Sequence, residues 1–289
     1  MPELPEVETV RLQLLRFIKG KKITDVAVYH EKSVGKNRDF KKIIANKVID
    51  DIRRRGKLLI FSFKKFPNLF LLGHLKMTGQ FFYLEKGQVK EGGGHSMRKS
   101  DFANFPGRHT RVGLTFSGGH RLYFNDMRLF GYLKLVNGKE LIEVEKQYGP
   151  EPIDDGFNDA EFFNKLKKTT RSIKAVLLDQ SVLAGVGNIY ADEALFMASI
   201  KPTRRANKLS KKEAAALRIA ASNTMKEAIK LGGTTFQSFL DSEGKQGNFR
   251  SRLKVFGKTG ESCPKCKTPI KKIRVAGRGT HYCPKCQRG

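Results

Sequence analysis

The spacing of apolar residues changes twice along this chain. Val7, Val10, Leu14, Phe17 and Ile18 recur at helical intervals, which predicts a short N-terminal helix that buries one face and holds residues 2 and 3 against a core. Strand signals then dominate to about residue 136: Val26 and Val28, Leu58 to Phe63, Leu69 to Leu75, Gly79 to Leu84, Val112 to Phe116, Leu122 and Phe124, Leu133 and Leu135. Short strands joined by turns, with Ser117-Gly118-Gly119-His120 as a hairpin turn, predict a β-sandwich or barrel. Glu85 to Gly107, including Gly92-Gly93-Gly94, carries neither period and reads as an exposed loop.

Helical periodicity returns after Gly149-Pro150-Glu151-Pro152 and runs to about residue 231. Ser210 with Glu213 has the spacing of a capping box, and Gly232-Gly233 supplies the stop. Thr234 to Asn248 is polar, with only Phe236, Phe239 and Leu240 as apolar anchors, and reads as a mobile loop. The expected divisions are 2–136, 150–232, a loop at 233–250, and a cysteine-bearing module at 251–289.

Charge narrows the function. The 289 residues suffice for a sizeable core and two or three units. Lys and Arg number 56 against 28 Asp and Glu, a net +28, and Lys245 to Gly289 holds 13 basic residues against the single acidic Glu261. That balance predicts a polyanion-binding surface. No apolar run approaches the roughly 18 to 20 residues of a spanning helix, and the acidic start is unlike a signal peptide, so membrane attachment is not expected. The chain reads as soluble and intracellular, and no feature calls for an oligomer, so a monomer is expected.

All four cysteines lie in two pairs, Cys263-x2-Cys266 and Cys283-x2-Cys286, separated by sixteen residues. Two such knuckles close a tetrahedral structural zinc site, whereas redox chemistry needs one pair. With every ligand position filled, the metal folds a hairpin presenting Lys271, Lys272, Arg274, Arg278 and Lys285. This module by itself indicates binding, since zinc ribbons also serve in non-enzymatic nucleic-acid proteins.

The start, Met1-Pro2-Glu3, offers a different chemistry. Removal of Met1 exposes a secondary amine whose class titrates near pH 8, well below a lysine, and which forms an obligate iminium with an aldehyde-level carbon. Glu3 beside it is placed to move protons. The same residues also suit an unremarkable solvated terminus.

Pro2-Glu3-Leu4-Pro5-Glu6-Val7-Glu8-Thr9-Val10-Arg11, Arg55-Gly56-Lys57, Gly185-Val186-Gly187-Asn188-Ile189-Tyr190, and Gly277-Arg278-Gly279-Thr280 ahead of Cys283 together resemble the bacterial formamidopyrimidine-DNA glycosylase family over nearly the whole chain. The resemblance implies an N-terminal β-sandwich catalytic domain with a short helix, a helix-two-turn-helix DNA-binding domain, a lesion-capping loop and a C-terminal zinc-finger hairpin. It implies a cytoplasmic, nucleoid-associated base-excision repair enzyme acting on damaged double-stranded DNA, with one structural zinc ion. Oxidised purines, 8-oxoguanine and formamidopyrimidines, would leave through a Schiff base on Pro2, followed by strand cleavage by β,δ-elimination.

By that resemblance Glu3 opens the sugar ring, Lys57 is the general acid/base and Arg278 assists δ-elimination. Lys57 after Arg53-Arg54-Arg55 also suits a phosphate contact. An extruded base leaves a gap, and Met77, Arg128 and Phe130 match the family's void-filling trio; Met77 and Phe130 also suit core positions at strand ends. Asn188 with the Gly185 to Gly187 backbone, and Lys174 and Arg278, match phosphate contacts, and His109 matches a histidine near DNA.

Departures from the family pattern are Arg111 where a histidine is common, Leu129 where an arginine is common, and Thr170 at a commonly basic position. The sister endonuclease VIII type, which prefers oxidised pyrimidines, shares the terminal amine. A catalytically silent zinc-ribbon DNA-binding protein shares the charge and the cysteines.

Overall fold

A computed structural model describes residues 1–93, 105–234 and 248–289. The chain divides into two compact units, Met1–Glu145 with Gly232–Asn248, and Lys146–Leu231 with Phe249–Gly289. Most of the predicted loop after Thr234, with Phe236, Phe239 and Leu240, lies outside the described residues.

Unit 1 opens with helix α1 (Leu4–Ile18), whose buried residues Leu4, Val7, Val10, Leu14 and Ile18 follow the apolar period read from the sequence. A five-stranded antiparallel sheet has the order β1-β7-β8-β5-β6, from β1 (Ile23–Val28), β7 (Thr110–Phe116), β8 (Arg121–Asp126), β5 (Gly79–Glu85) and β6 (Gln88–Gly93). A four-stranded antiparallel sheet has the order β2-β3-β4-β9, from β2 (Ile49–Arg55), β3 (Leu58–Phe63), β4 (Phe66–His74) and β9 (Tyr132–Asn137). Short helices α2 (Phe40–Ile44) and α3 (Gly138–Glu145) complete it.

The two sheets and α1 share one core: Val26, Phe81, Val112 and Phe124 from the first sheet meet Ile52, Phe61, Leu71 and Leu133 from the second, with Val10 and Leu14 of α1. Phe61 and Phe81 bridge the layers with ring centroids 6.2 Å apart. Each such side chain contributes on the order of 1.5 to 3 kcal/mol by leaving water, so register is enforced by the inward faces. The predicted β7–β8 hairpin forms, with Gly118 and Gly119 at φ 85° and 77°.

The reading of Glu85 to Gly107 as loop is corrected in part, because β6 pairs with β5 over Gln88 to Gly93. Lys86 and Gly87, at φ 49° and 77°, make the tight turn that starts it. Val89 is the only apolar residue in that strand, so no alternation announced it. Residues 94–104 of that segment lie outside the described residues. Strand β2 was likewise hidden, since Ile49 and Ile52 alone bury while Asp and Arg fill the other positions.

Unit 2 holds α4 (Asp159–Lys167), α5 (Ile173–Leu177), α6 (Asn188–Met197), α7 (Lys211–Lys230) and a hairpin of β10 (Lys271–Val275) and β11 (Arg278–Tyr282). The predicted capping box at Ser210 and Glu213 starts α7. Helix α6 is buried on nearly every side, Asp192 and Glu193 included, so both carboxylates require internal partners. No helix among the described residues is long and apolar enough to cross a membrane.

Candidate active site

Unit 1 assembles its candidate chemistry at the start of α1. Pro2 is buried, and Glu3 is the N-cap, 2 % exposed. The Glu3 backbone N–H donates to Glu6 Oε2 at 2.9 Å, and Val7 N–H donates to the Glu3 carbonyl at 3.0 Å, so the first helical turn fixes residues 2 and 3. The other Glu6 oxygen accepts the N–H and hydroxyl of Thr234 at 2.7 and 3.1 Å. Gly233 passes so close, at φ +84°, that a Cβ there would sit 2.9 Å from Glu6 Oε1.

One turn further, Glu8 ties this helix to Lys57. Glu8 accepts from Arg11 and from Arg54 Nε, and Arg54 Nη1 donates to the Gly56 carbonyl at 2.9 Å. Burial opposes ionisation of Glu8, but hydrogen bonds and charge from Arg11 and Arg54 outweigh it and hold the carboxyl below its ordinary value. Gly56 and Lys57 form the two-residue turn between β2 and β3, and Lys57 is 6 % exposed. That burial separates it from Arg53, which lies on the surface in an ion pair with Glu145.

His74 is a site neighbour that the sequence reading missed. It lies opposite Leu58 in the β3–β4 register, and its Nδ1 accepts the Lys76 N–H at 3.0 Å. Burial, then the charges of Lys76 and Lys57, lower its pKa to about 3. Its folded pKa lies below the unfolded value near 6.5, so the unfolded chain takes up the proton first. Stability is therefore lost as pH falls from about 6.5 toward 3, at up to about 1.4 kcal/mol per pH unit. The variant His74→Asn, which keeps an acceptor, is expected to flatten the fall in urea midpoint between pH 6.5 and 4. Parallel curves for the two proteins would show that this histidine is not the acid-sensitive group.

Met77, Arg128 and Phe130 come together on unit 1. Arg128 Nη1 reaches Met77 Sδ at 3.3 Å, and its guanidinium lies 4.8 Å from the centre of the Phe130 ring. Phe130 is 50 % exposed, which removes the reading of it as a core residue. His109 is adjacent: its carbonyl accepts the Asp126 N–H at 2.9 Å, and its Nε2 accepts from Arg108.

Unit 2 carries the remaining candidates. Asn188 opens α6, and its Nδ2 donates to the Gly279 carbonyl at 2.9 Å. Its Oδ1 is buried with no hydrogen-bond partner among the described residues. Arg278 is exposed on the hairpin, just after a tight turn in which Ala276 and Gly277 take φ 49° and 71°. The predicted basic face is also outward, with Lys271, Lys272, Arg274 and Lys285 all exposed.

Lys174 is not a surface cation. Its side chain is wholly buried, and Nζ bonds Asp192 Oδ1 at 2.6 Å, Thr280 Oγ1 at 2.8 Å and the Gly279 carbonyl at 3.3 Å. The expectation of a phosphate contact is therefore corrected: the ammonium neutralises a carboxylate that α6 brings inside. Asp192 also receives the His281 N–H at 2.8 Å. Its neighbour Glu193 accepts the N–H groups of Lys254, Val255 and Phe256 at 2.8 to 2.9 Å, anchoring the cysteine module, while burial raises its pKa against those bonds.

The four cysteine sulfurs lie within 4.8 Å of one another. Cys263 and Cys286 are 3.9 Å apart, and Cys266 and Cys283 3.5 Å, close to the roughly 3.8 Å edge of a tetrahedron with Zn–S bonds of about 2.3 Å. Hydrogen bonds from Thr268 lower the Cys266 thiol to about 6, whereas burial, with the other thiols, pushes Cys286 up to about 12. Four sulfurs at tetrahedral spacing on two knuckles form a structural zinc centre.

Comparison with known proteins agrees with this arrangement. Residues 1–133 match the formamidopyrimidine-DNA glycosylase N-terminal domain, 148–240 its H2TH domain, and 260–289 the zinc finger found in FPG and IleRS. The chain is 40 % identical to the formamidopyrimidine-DNA glycosylase of Listeria innocua and 39 % identical to that of Bacillus licheniformis, in each case across the full length of both proteins. Among solved structures, Lactococcus lactis Fpg in complex with abasic-site DNA superimposes with a TM-score of 0.86 at 36 % identity, covering 99 % of this chain and all of that one. A MutM complex with DNA containing carbocyclic 8-oxo-G gives 0.85 at 36 % identity, covering both chains fully. This chain belongs to the formamidopyrimidine-DNA glycosylase family.

Proposed function

We propose that the protein is a bifunctional DNA glycosylase and abasic-site lyase that removes 8-oxoguanine and formamidopyrimidines from duplex DNA and then cuts the strand. The observation that carries this reading is the buried Pro2-Glu3 pair, set by the first turn of α1 and strapped through Glu8 and Arg54 to the Lys57 turn. A terminal amine, a carboxyl and a lysine held on one framework suit Schiff-base chemistry at a sugar carbon, and the DNA complexes of related proteins point to the same substrate class.

The Pro2 nitrogen attacks C1′ with its lone pair, the bond from C1′ to the damaged base breaks, and the base leaves with the bonding pair and takes up the proton that the Pro2 nitrogen sheds. Glu3 delivers a proton to the ring oxygen as the C1′–O4′ bond opens, which leaves an iminium between Pro2 and the sugar. The iminium acidifies C2′. Lys57 takes that proton and the 3′ phosphate leaves; a second elimination, assisted by Arg278, releases the 5′ phosphate.

Met77, Arg128 and Phe130 fill the space of the extruded nucleotide, Arg128 facing the widowed base. Asn188 and the Gly185 to Gly187 backbone hold a phosphate, and His109 is a further DNA contact. The segment 233–250, most of it outside the described residues, is the lesion-capping segment in this reading. The protein acts as a monomer in the cytoplasm, on chromosomal DNA.

The test is borohydride trapping on a duplex with one 8-oxoguanine opposite cytosine, comparing native protein with Pro2→Gly and with a form that retains Met1. Borohydride reduces the iminium to an amine, so native protein is expected to become covalently joined to DNA, with at least a hundredfold loss in both altered forms. Tight binding without trapping would leave a silent zinc-ribbon binder. Trapping confined to oxidised pyrimidines would move the chain to the sister type.

A further inference from the structure

Arg111 lies in a chain whose +28 charge makes any half-exposed arginine a candidate for a DNA phosphate. Two of its nitrogens are turned elsewhere. Nε donates to the Asp126 carbonyl at 2.7 Å, and Nη1 to the Arg108 carbonyl at 3.2 Å. The residue sits in the irregular step of the β7–β8 ladder between Thr110 and Val112, which frees its side chain to span two loop ends.

Asp126, whose backbone Arg111 holds, has no exposed surface. Its Oδ1 accepts the Thr78 hydroxyl and the Arg128 N–H, the latter at 3.2 Å, and its Oδ2 accepts the Gly131 N–H at 2.7 Å. The Thr78 hydroxyl oxygen also accepts the Arg128 N–H at 3.1 Å. One carboxylate thus gathers the turn that bears Met77 and the turn that bears Arg128 and Phe130. The second turn is drawn tight: Leu129 takes φ 58°, and a Cβ on Gly131 would lie 2.8 Å from the Phe124 ring.

We propose that Arg111 is a positioning residue for the void-filling loop, holding Asp126 so that Arg128 meets the base opposite the lesion in one geometry, and that it does not contact phosphate. The proposal rests on the reading of Met77, Arg128 and Phe130 given above. Arginine suits this task better than histidine, because its planar fork reaches two carbonyls at once.

The experiment measures binding to duplexes holding a tetrahydrofuran abasic analogue opposite cytosine or adenine, between about 50 and 200 mM salt, for native protein, Arg111→Leu and Arg111→Lys. Binding needs no chemistry, so the outcome is separate from that of the trapping test. Arg111→Leu is expected to keep the native salt slope while the preference between cytosine and adenine shrinks roughly tenfold, about the discrimination of one mismatched pair. Arg111→Lys, able to reach one carbonyl, should recover part of that preference. A slope flattened by about 0.9 with equal weakening on both duplexes would make Arg111 a phosphate contact and overturn the proposal. So would a drop in thermal stability with native discrimination, or a native protein with no preference to lose.

Discussion

Stripping zinc from the four-cysteine site is expected to unfold the β10–β11 module and to weaken DNA binding by about a hundredfold or more, while the sandwich of unit 1 keeps its fold. The module's own core is small. Its buried cluster consists of Val255, Ile270 and the ligands Cys263 and Cys283, packed on Phe196 of α6. Apparent binding energies of about 10 to 16 kcal/mol for structural zinc in small fingers are at least as large as what the module's few buried apolar side chains, Leu253, Val255, Ile270, Val275 and Tyr282, contribute. Losing the metal also releases the exposed cations Lys271, Lys272, Arg274 and Lys285 from a fixed surface. A chelator titration with a zinc indicator, followed by fluorescence anisotropy on labelled DNA and circular dichroism, checks each part. Native affinity after verified metal loss would remove the zinc module from the binding surface.

Replacing Lys174 with methionine is expected to cost about 3 to 5 kcal/mol of stability, because it leaves the Asp192 carboxylate inside unit 2 without its cation. An exposed phosphate-binding lysine would cost almost nothing to replace, and its loss would show as a flatter salt slope. The pair Lys174→Met with Asp192→Leu should regain most of the stability, since matched apolar groups need no counter-charge. Urea unfolding of the native, single and double variants tests this. Equal stability of the native protein and the single variant would contradict the burial of the pair. Because Lys174 and Asn188 both donate to the Gly279 carbonyl, the single variant should also loosen the hairpin tip beside Arg278.

The elements that the sequence made readable are those whose apolar period is strong or whose ends carry a cap. Helix α1, the β7–β8 hairpin and the Ser210 start of α7 belong to that group. Strands β2 and β6 escaped because their stability comes from pairing with neighbours, not from their own side chains. Cysteine spacing predicted the metal site for a related reason: a tetrahedral ion imposes its geometry on the chain. Lys174 misled because a motif position carries identity without depth, and only the buried face of α6 reveals that its charge is consumed internally. His74 stayed hidden because its proximity to Lys57 depends on a β3–β4 register with an irregular step between Ser62 and Phe63. Glu193, on a helical run, had no pattern to separate it from a solvated glutamate, though it collects three backbone N–H groups.

The contact between Glu6 and Thr234 joins residues 228 positions apart, and it has a consequence for how the protein is made. A ribosome adds about 5 to 20 residues per second, so the sheets of unit 1 can form several seconds before Thr234 emerges. During that interval Glu6 lacks the two hydrogen bonds that it accepts from Thr234. The end of the chain that bears Pro2 is thus completed late, after the helices of unit 2 have been synthesised.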